Sequence, residues 1–292
     1  MAILGALVAA TLGQWLWSHE FQKATPNGAA PSATTTTSGG AATTPSQAAL
    51  RQELSAYVAL RSGTVEVAVE DLISGHTLSF GPKTPQDEAS VVKINILAAL
   101  LASSSSSAIP LTAAQRNLAE QMIEASDNDA ATSLWYAVGG GAGIKAFDAA
   151  IGLIDTTPSP CVVCAGFAWP GWGLTTTTPL DQLKLLRTVF LGSAHLNGAD
   201  RSYELQLMES VIPSERWGVS GGVPSTATVA LKNGWLPLNN AETDWQINSV
   251  GWVRGDGRDY LIALFSTGNP NEAYGIETLN AVSAIVWNHA SI

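Results

Sequence analysis

A serine and a lysine stand three residues apart in Ala89-Ser90-Val91-Val92-Lys93, at the head of the apolar run 94–101. On a helix that spacing puts both side chains on one face. Ser90 then lies in the first turn, where unpaired N–H groups and the positive end of the helix dipole favour an alkoxide or the oxyanion it generates. Lys93, one turn on, can accept the serine proton if burial or a neighbouring cation keeps it partly neutral. Taken alone, the pattern is commoner as a capped helix with a solvated lysine.

Two further stretches carry residues of the same kind. Ser126-Asp127-Asn128 separates two apolar segments, and Lys232-Asn233-Gly234-Trp235 ends a run of strand character. Singly, the first reads as a helix N-cap and the second as a turn at a strand end. Gly218-Val219-Ser220-Gly221-Gly222 matches the Gly-x-Ser-x-Gly pattern of a nucleophile elbow, which needs a strand before it and a helix after it. Here Ser214-Glu215-Arg216-Trp217 precedes it and Pro224 follows, so a turn is expected. His19, His76, His195 and His289 are scattered without metal-ligand spacing, and neither a metal site nor a cofactor is expected.

The elements that must position these residues follow from periodicity. Leu50, Leu54 and Val58 mark a first helix that stops at Gly63. Val65, Val67 and Val69 alternate with Glu66 and Ala68 as a half-buried strand, which the Ser74-Gly75 turn returns through residues 76–80. After the Ser90 helix, the serine run 103–107 is expected to be a loop. Helices are expected over 115–124 and 130–138, with Gly139, Gly140, Gly141 and Gly143 as the turn that ends the second. Residues 156–180 carry no charge but include Cys161, Cys164, Trp169 and Trp172. A helix over 180–190, strands over 227–232, 246–253 and 260–266, and a closing helix over 272–289 complete the chain. The sum is an α/β fold: an antiparallel sheet flanked by the N- and C-terminal helices, plus a mostly helical subdomain.

Of 292 residues, 24 are acidic and 14 basic, a formal charge of −10. That balance argues against a nucleic-acid partner and suits a neutral or cationic small substrate. Residues 1–23 open on an uncharged apolar stretch with Trp15 and Trp17, which reads as a signal peptide or membrane anchor although it lacks a basic start. Residues 24–46, rich in Ala, Thr, Ser and Pro, read as a disordered linker. Residues 47–292 are then one globular domain outside the cytoplasmic membrane, secreted or tethered to the cell envelope, and expected to be monomeric. In that compartment a local Cys161–Cys164 disulfide is favoured over free buried thiols.

Ser-x-x-Lys at Ser90–Lys93, Ser-Asp-Asn at 126–128 and a Lys-Asn-Gly version of Lys-Thr/Ser-Gly at 232–234 occur in the order that marks class A β-lactamases and penicillin-binding proteins. From about residue 47 onward the chain resembles a class A β-lactamase-related serine hydrolase. Thr176–Pro179 before a helix, and the phrase Ile247-Asn-Ser-Val-Gly-Trp-Val253 followed by residues 260–267, add to the likeness. The resemblance implies a serine β-lactamase/transpeptidase-like fold and a role for each residue. Ser90 attacks the carbonyl of an amide, β-lactam or ester; Lys93 takes its proton; Ser126 relays a proton to the leaving group. Asn128 holds the substrate's side-chain amide. Lys232 anchors a substrate carboxylate, with Asn233 and Gly234 beside it, and favours the neutral form of Lys93. The Ser90 and Trp235 N–H groups form the oxyanion hole.

Three departures from the family qualify this. Hydrolysing members place a glutamate on the loop before the third motif, whereas residues 156–179 contain no carboxylate. Losing general-base help typically costs about 10²–10⁴ in rate, so a poor β-lactamase is expected. Asn233 replaces the usual Thr or Ser, and the segment between Lys93 and Ser126 is short, which reduces one wall of the cleft. The substrate is then a small molecule or a cell-wall peptide: a β-lactam turned over slowly, a peptide in a carboxypeptidase-like reaction, or an ester whose acyl group meets Trp169, Trp172 and Trp235. The alternative is a non-catalytic module that binds β-lactams or muropeptides on the same fold.

Overall fold

The protein is described by a computed structural model covering residues 44–238 and 243–289; the expected anchor over 1–23 and most of the linker over 24–46 lie outside the described residues. The first helix, α1 (Pro45–Val58), begins with Thr44 as N-cap, its side chain accepting from Gln47 N. Leu50 and Leu54 are fully buried on its inner face. Strands β1 (Thr64–Asp71) and β2 (Thr77–Phe80) form the expected hairpin, with Val67 opposite Phe80.

A 3-10 turn over Ala89–Val91 leads into α2 (Val92–Ser107). The serine run 103–107 is therefore helical, not a loop: Ser106 and Ser107 hydroxyls bond back to the Ser103 carbonyl, and Ala108, in left-handed conformation, ends the helix. The Ala89–Ser107 stretch is long and apolar enough to cross a membrane by length and composition, yet 67% of it is buried inside the domain, as a core helix would be.

Helices α3 (Ala113–Glu124), α4 (Asn128–Ala137) and α5 (Gly140–Ile151) follow. The glycines after α4 do not simply close a turn. Gly139 caps α5, and a Cβ on Gly143 would lie 1.8 Å from the Val138 carbonyl oxygen, so glycine is what lets the two helices meet. The short strands β3 (Gln86–Asp87) and β4 (Thr176–Thr177) pair with each other. Then come α6 (Pro179–Phe190), α7 (Gly198–Glu209), β5 (Thr228–Pro237), β6 (Trp245–Gly255), β7 (Arg258–Asn269) and α8 (Glu272–Asn288). The five long strands make one antiparallel sheet in the order β2-β1-β7-β6-β5.

The sheet is covered on both faces. Val65, Val67, Val69, Ile262 and Leu264 join Leu50, Leu279 and Val282 in the core beneath α1 and α8. Ala68, Leu261, Ala263 and Phe265 face the helical block around α2 and α6. Strand β1 is thus buried on both sides rather than half-buried. Glu66 is 1% exposed, and one of its carboxylate oxygens accepts from Thr84 N and Gln86 Nε2. Ser220 sits in a single 3-10 turn, Gly218–Ser220, packed on α8, so the elbow-like motif is a turn here.

One buried acid makes stability depend on pH. Asp148 of α5 accepts from Asn95 Nδ2 at 2.6 Å, and burial lifts its carboxyl to about 7. The folded chain therefore holds a proton that the unfolded chain releases near the ordinary carboxylate value. Between about pH 4 and 7 that proton favours the fold, and its contribution fades as pH rises. Asp148→Asn should flatten this part of the profile, as read by urea midpoints across that range.

Candidate active site

The nucleophile turn is set by its neighbours. Ala89, immediately before Ser90, has φ 51°, a left-handed conformation that a non-glycine residue adopts at a cost. Glu88 N donates to Thr175 O at 2.8 Å, and Asn248 of β6 donates to the carbonyls of Asp87 (2.8 Å) and Glu88 (3.0 Å). Asn248 is itself fixed by Gln246, which also reaches Gln86 and through it Glu66. A chain of buried amides thus locks the residues that lead into Ser90.

Lys93, one helical turn on, is fully buried. Its Nζ lies 2.5 Å from Ser126 O, 3.1 Å from Ser126 Oγ and 2.7 Å from Asn128 Oδ1. Ser126 also has positive φ, 56°, and Asp127 caps α4 by accepting from Ala130 N at 2.7 Å. The cap reading of this stretch is therefore correct for Asp127. The residues on either side of that cap meet Lys93. From the opposite wall, Lys232 Nζ donates to Ser126 Oγ at 2.9 Å and to Asn233 O at 3.1 Å. One hydroxyl bridges two buried lysines.

Burial pushes the Lys93 ammonium well below the usual lysine range, and the Lys232 charge adds to that; Asp127 and Glu215 oppose it. Lys232, also fully buried, is lowered to about 8, with Glu215 resisting. The positive charge of Lys232 therefore acts on Lys93 in the sense expected of a general base. The face of the Trp172 indole lies 5.1 Å from Lys93 Nζ, and its Nε1 donates to Thr132 Oγ1 at 3.2 Å.

The two-residue period of β5 sorts the third motif. Lys232 and Gly234 point toward the helical block. A Cβ on Gly234 would lie 2.7 Å from Ser90 N and 2.8 Å from Glu88 O, so only glycine lets β5 approach the nucleophile turn. Asn233 points the other way. It is fully buried, donating through Nδ2 to Glu215 O at 2.5 Å and accepting from Ser249 Oγ at 2.6 Å. Trp235 sits edge-on to Trp217, with ring centroids 5.9 Å apart, and reaches the cleft.

Ser90, Ser126, Asn128 and Trp235 open into one cleft of about 620 Å³. Ser90 Oγ forms no hydrogen bond among the described residues, which leaves it free for a substrate. Apolar rings dominate the far wall, including Phe167, Trp169, Trp172 and Trp245. The charge-free loop carries Phe167, Trp169 and Trp172 of that wall, and β6 carries Trp245; within the loop Cys161 and Cys164 are joined by a disulfide and Gly171 N donates to Cys161 O at 2.8 Å. Asp181 does not reach across. Its carboxylate accepts from Asp155 N (2.7 Å), Thr156 Oγ1 and Lys184 Nζ at the foot of the loop. Glu215, which no motif flags, is the site residue the sequence hid. Among the described residues there is no group of three or more His, Cys, Asp or Glu that could hold a metal ion.

These features define a serine-centred site on an α/β fold. A profile of the Beta-lactamase enzyme family matches residues 105–290, and the chain belongs to that family. The match begins after Ser90 and Lys93. The chain is 26% identical over 229 residues, 76% of its length and 68% of theirs, to the LppW proteins of Mycobacterium bovis and Mycobacterium tuberculosis, provisionally named lipoproteins. Among solved structures, TLA-3 extended-spectrum β-lactamase superposes with a TM-score of 0.73 at 17% identity, covering 83% of this chain and 98% of its own. A class A β-lactamase from Mycobacterium abscessus gives 0.68 at 20% identity, covering 82% and 98%. The expected antiparallel sheet with flanking helices is thus the class A β-lactamase fold.

Two outcomes test the geometry. Gly234→Ala should slow labelling of Ser90 by a reactive ester by at least about tenfold while the protein stays folded, because overpacking at the contact costs about 1–3 kcal/mol; equal labelling would show that β5 does not position Ser90. Lys232→Met removes a charge that depresses Lys93, so the pH midpoint of labelling should move upward; stopped-flow rates between pH 5 and 10 read it directly.

Proposed function

We propose that this protein is an extracytoplasmic serine acyl-transfer enzyme that forms an acyl-enzyme at Ser90 with an amide, β-lactam or ester donor. The observation that carries this reading is Ser126 Oγ held between Lys93 Nζ and Lys232 Nζ beside the free Ser90 hydroxyl. Ser90 Oγ attacks the donor carbonyl, and its proton passes to Lys93. Ser126 delivers a proton to the leaving group and is resupplied from Lys93, which holds the proton taken from Ser90. The Ser90 and Trp235 N–H groups receive the oxyanion, and Asn128 at the cleft mouth holds a polar group of the donor.

Deacylation is the slow step in this scheme. The loop that lines the cleft brings the Trp172 ring to 5.1 Å from Lys93 Nζ but no carboxylate to activate water, and Asp181 is committed elsewhere. The protein is then a poor β-lactamase that behaves like a penicillin-binding protein or a slow esterase. Envelope location is supported by the LppW relatives and by the composition of residues 1–46. A donor that is a small molecule or a cell-wall peptide, no nucleic-acid partner, and a monomeric domain over 47–292 complete the proposal.

A second reading, a binding module without covalent chemistry, draws on one observation. Lys93 has three acceptors within reach, as many as an ammonium has N–H groups, and none belongs to Ser90. Intact-protein mass after incubation with a penicillin, a cephalosporin and a p-nitrophenyl ester separates the two. A one-to-one adduct that persists for minutes and is absent in Ser90→Ala supports the acyl-enzyme. Ligand-induced thermal stabilisation without any adduct would instead establish the binder.

A further inference from the structure

Two buried lysines share one hydroxyl at the base of the cleft, and such a pair invites an anion. The chain supplies one of its own. Glu215 belongs to the 3-10 turn Pro213–Glu215, and its carbonyl is gripped by Asn233 Nδ2 at 2.5 Å. Its carboxylate acts on both Lys232 and Lys93, and one carboxylate oxygen, Oε2, is buried without a hydrogen-bond partner. Among the described residues no ion pair within 4 Å joins it to either lysine, so it works through the field and not through contact. On the other flank Asp127 also acts on Lys93, while Glu272 of α8 faces Glu215. Two half-buried carboxylates, Glu215 and Asp127, thus act on the buried lysine pair from within the protein.

The cleft above tells the same story. Among the described residues that line it, Asp87 bears the only charge, and no ion pair within 4 Å holds it. The remaining wall carries the Trp169, Trp172, Trp235 and Trp245 indoles, a ring type whose face attracts cations. A carboxylate entering this cleft would meet a lysine pair on which two carboxylates of the chain already act, and a further acid, Asp87, on the wall.

We propose that Glu215, positioned by Asn233, takes the place of a donor carboxylate, so that the site selects acyl donors with a large apolar acyl group and no free carboxylate, neutral or cationic. The inference rests on the acyl-enzyme reading above and names its substrate class. It also assigns Asn233 a purpose: its amide is used to hold the turn that carries Glu215 and is turned away from Lys232.

A matched pair of donors tests this. Phenylacetyl-thioglycolate and its methyl ester deliver the same acyl group and differ by one carboxylate on the leaving group. In either case the Ser90 Oγ–carbonyl carbon bond forms and the C–S bond breaks. The Ser90 proton passes to Lys93, and Ser126 returns one to the departing sulfur. The same acyl-enzyme results, so only acylation is compared. The wild type should be acylated by the ester at least about tenfold faster than by the acid, a factor expected from one unfavourable charge in a partly buried site. Glu215→Gln should bring the two rates within about threefold, and Glu215→Ala should do the same. Because the ratio is internal to each protein, loss of folded material does not move it. Glu215→Gln should also shift the pH midpoint of ester acylation downward, since removing the carboxylate further lowers Lys93; a merely structural role would leave that midpoint in place. Ser90 labelling with an unchanged ratio in both variants, or a wild-type preference for the acid, would overturn the selection by Glu215 alone. Absence of Ser90 labelling by either donor would overturn the acyl-enzyme reading and this inference with it.

Discussion

The arrangement on which the site depends is a single hydroxyl held between two buried lysines. Removing two ammonium groups from water is expensive, and the chain meets that cost by providing acceptors and by allowing protons to leave. Lys93 is surrounded by the Ser126 carbonyl, the Ser126 hydroxyl and Asn128 Oδ1. As an ammonium it can satisfy all three; as a neutral amine it can accept the Ser126 proton. Burial lowers both lysines, and Lys232, at about 8, has its charged and neutral states close in energy at mildly alkaline pH. On the proposed reading a proton moves along Lys93, Ser126 and Lys232 with little rearrangement of heavy atoms, as general acid–base work requires.

Holding that array needs backbone conformations the chain would not choose locally. Ala89 and Ser126 both take left-handed φ, one just before the nucleophile and the other at the relay hydroxyl. Each is braced from outside. Asn248 and Thr175 fix the carbonyl and amide of the segment before Ala89, and Lys93 grips the Ser126 carbonyl. Gly234 removes the side chain that would keep β5 from the same turn. The strain is local, whereas its support is spread over β6, the charge-free loop and α2.

Much of this was legible in the sequence, and what was not has identifiable causes. The order Ser90–Lys93, Ser126–Asn128, Lys232–Gly234 announced the family because each motif keeps its residue types and spacing. Alternation at Val65, Val67 and Val69, and the helix expected over 272–289, announced the sheet and its cover. The serine run 103–107 misled because serine is a weak helix former in isolation, yet here its hydroxyls bond back to the preceding turn. The glycines after Val138 misled because conformational freedom suggests a turn, while close packing against Val138 was the actual demand. Glu215 could not be found by motif at all. Its effect on Lys232 is a through-space consequence of where the Pro213–Glu215 turn meets β5, and only a fold shows that. Asn233 gave a hint, since a residue that departs from its family's hydroxyl has to be used for something.

The charge-free loop completes the physical picture. Without a charged side chain of its own it can pack close to Lys93 without creating a new ion pair. The disulfide, the Thr157–Thr176 bridge and the Gly171–Cys161 bond reduce the number of conformations open to it. Trp172 is pinned by Thr132, and Trp169 by Asp129 through its Nε1 at 3.1 Å. These fixed rings line the cleft beside the lysine pair and limit the space for water there. A drier site strengthens its electrostatic interactions and, on the proposed reading, leaves an acyl group on Ser90 without the ordered water that hydrolysis needs. On the proposed reading, easy acylation and slow release therefore have one cause. The loop that lowers the local dielectric around the base is the same loop that has no base to offer water.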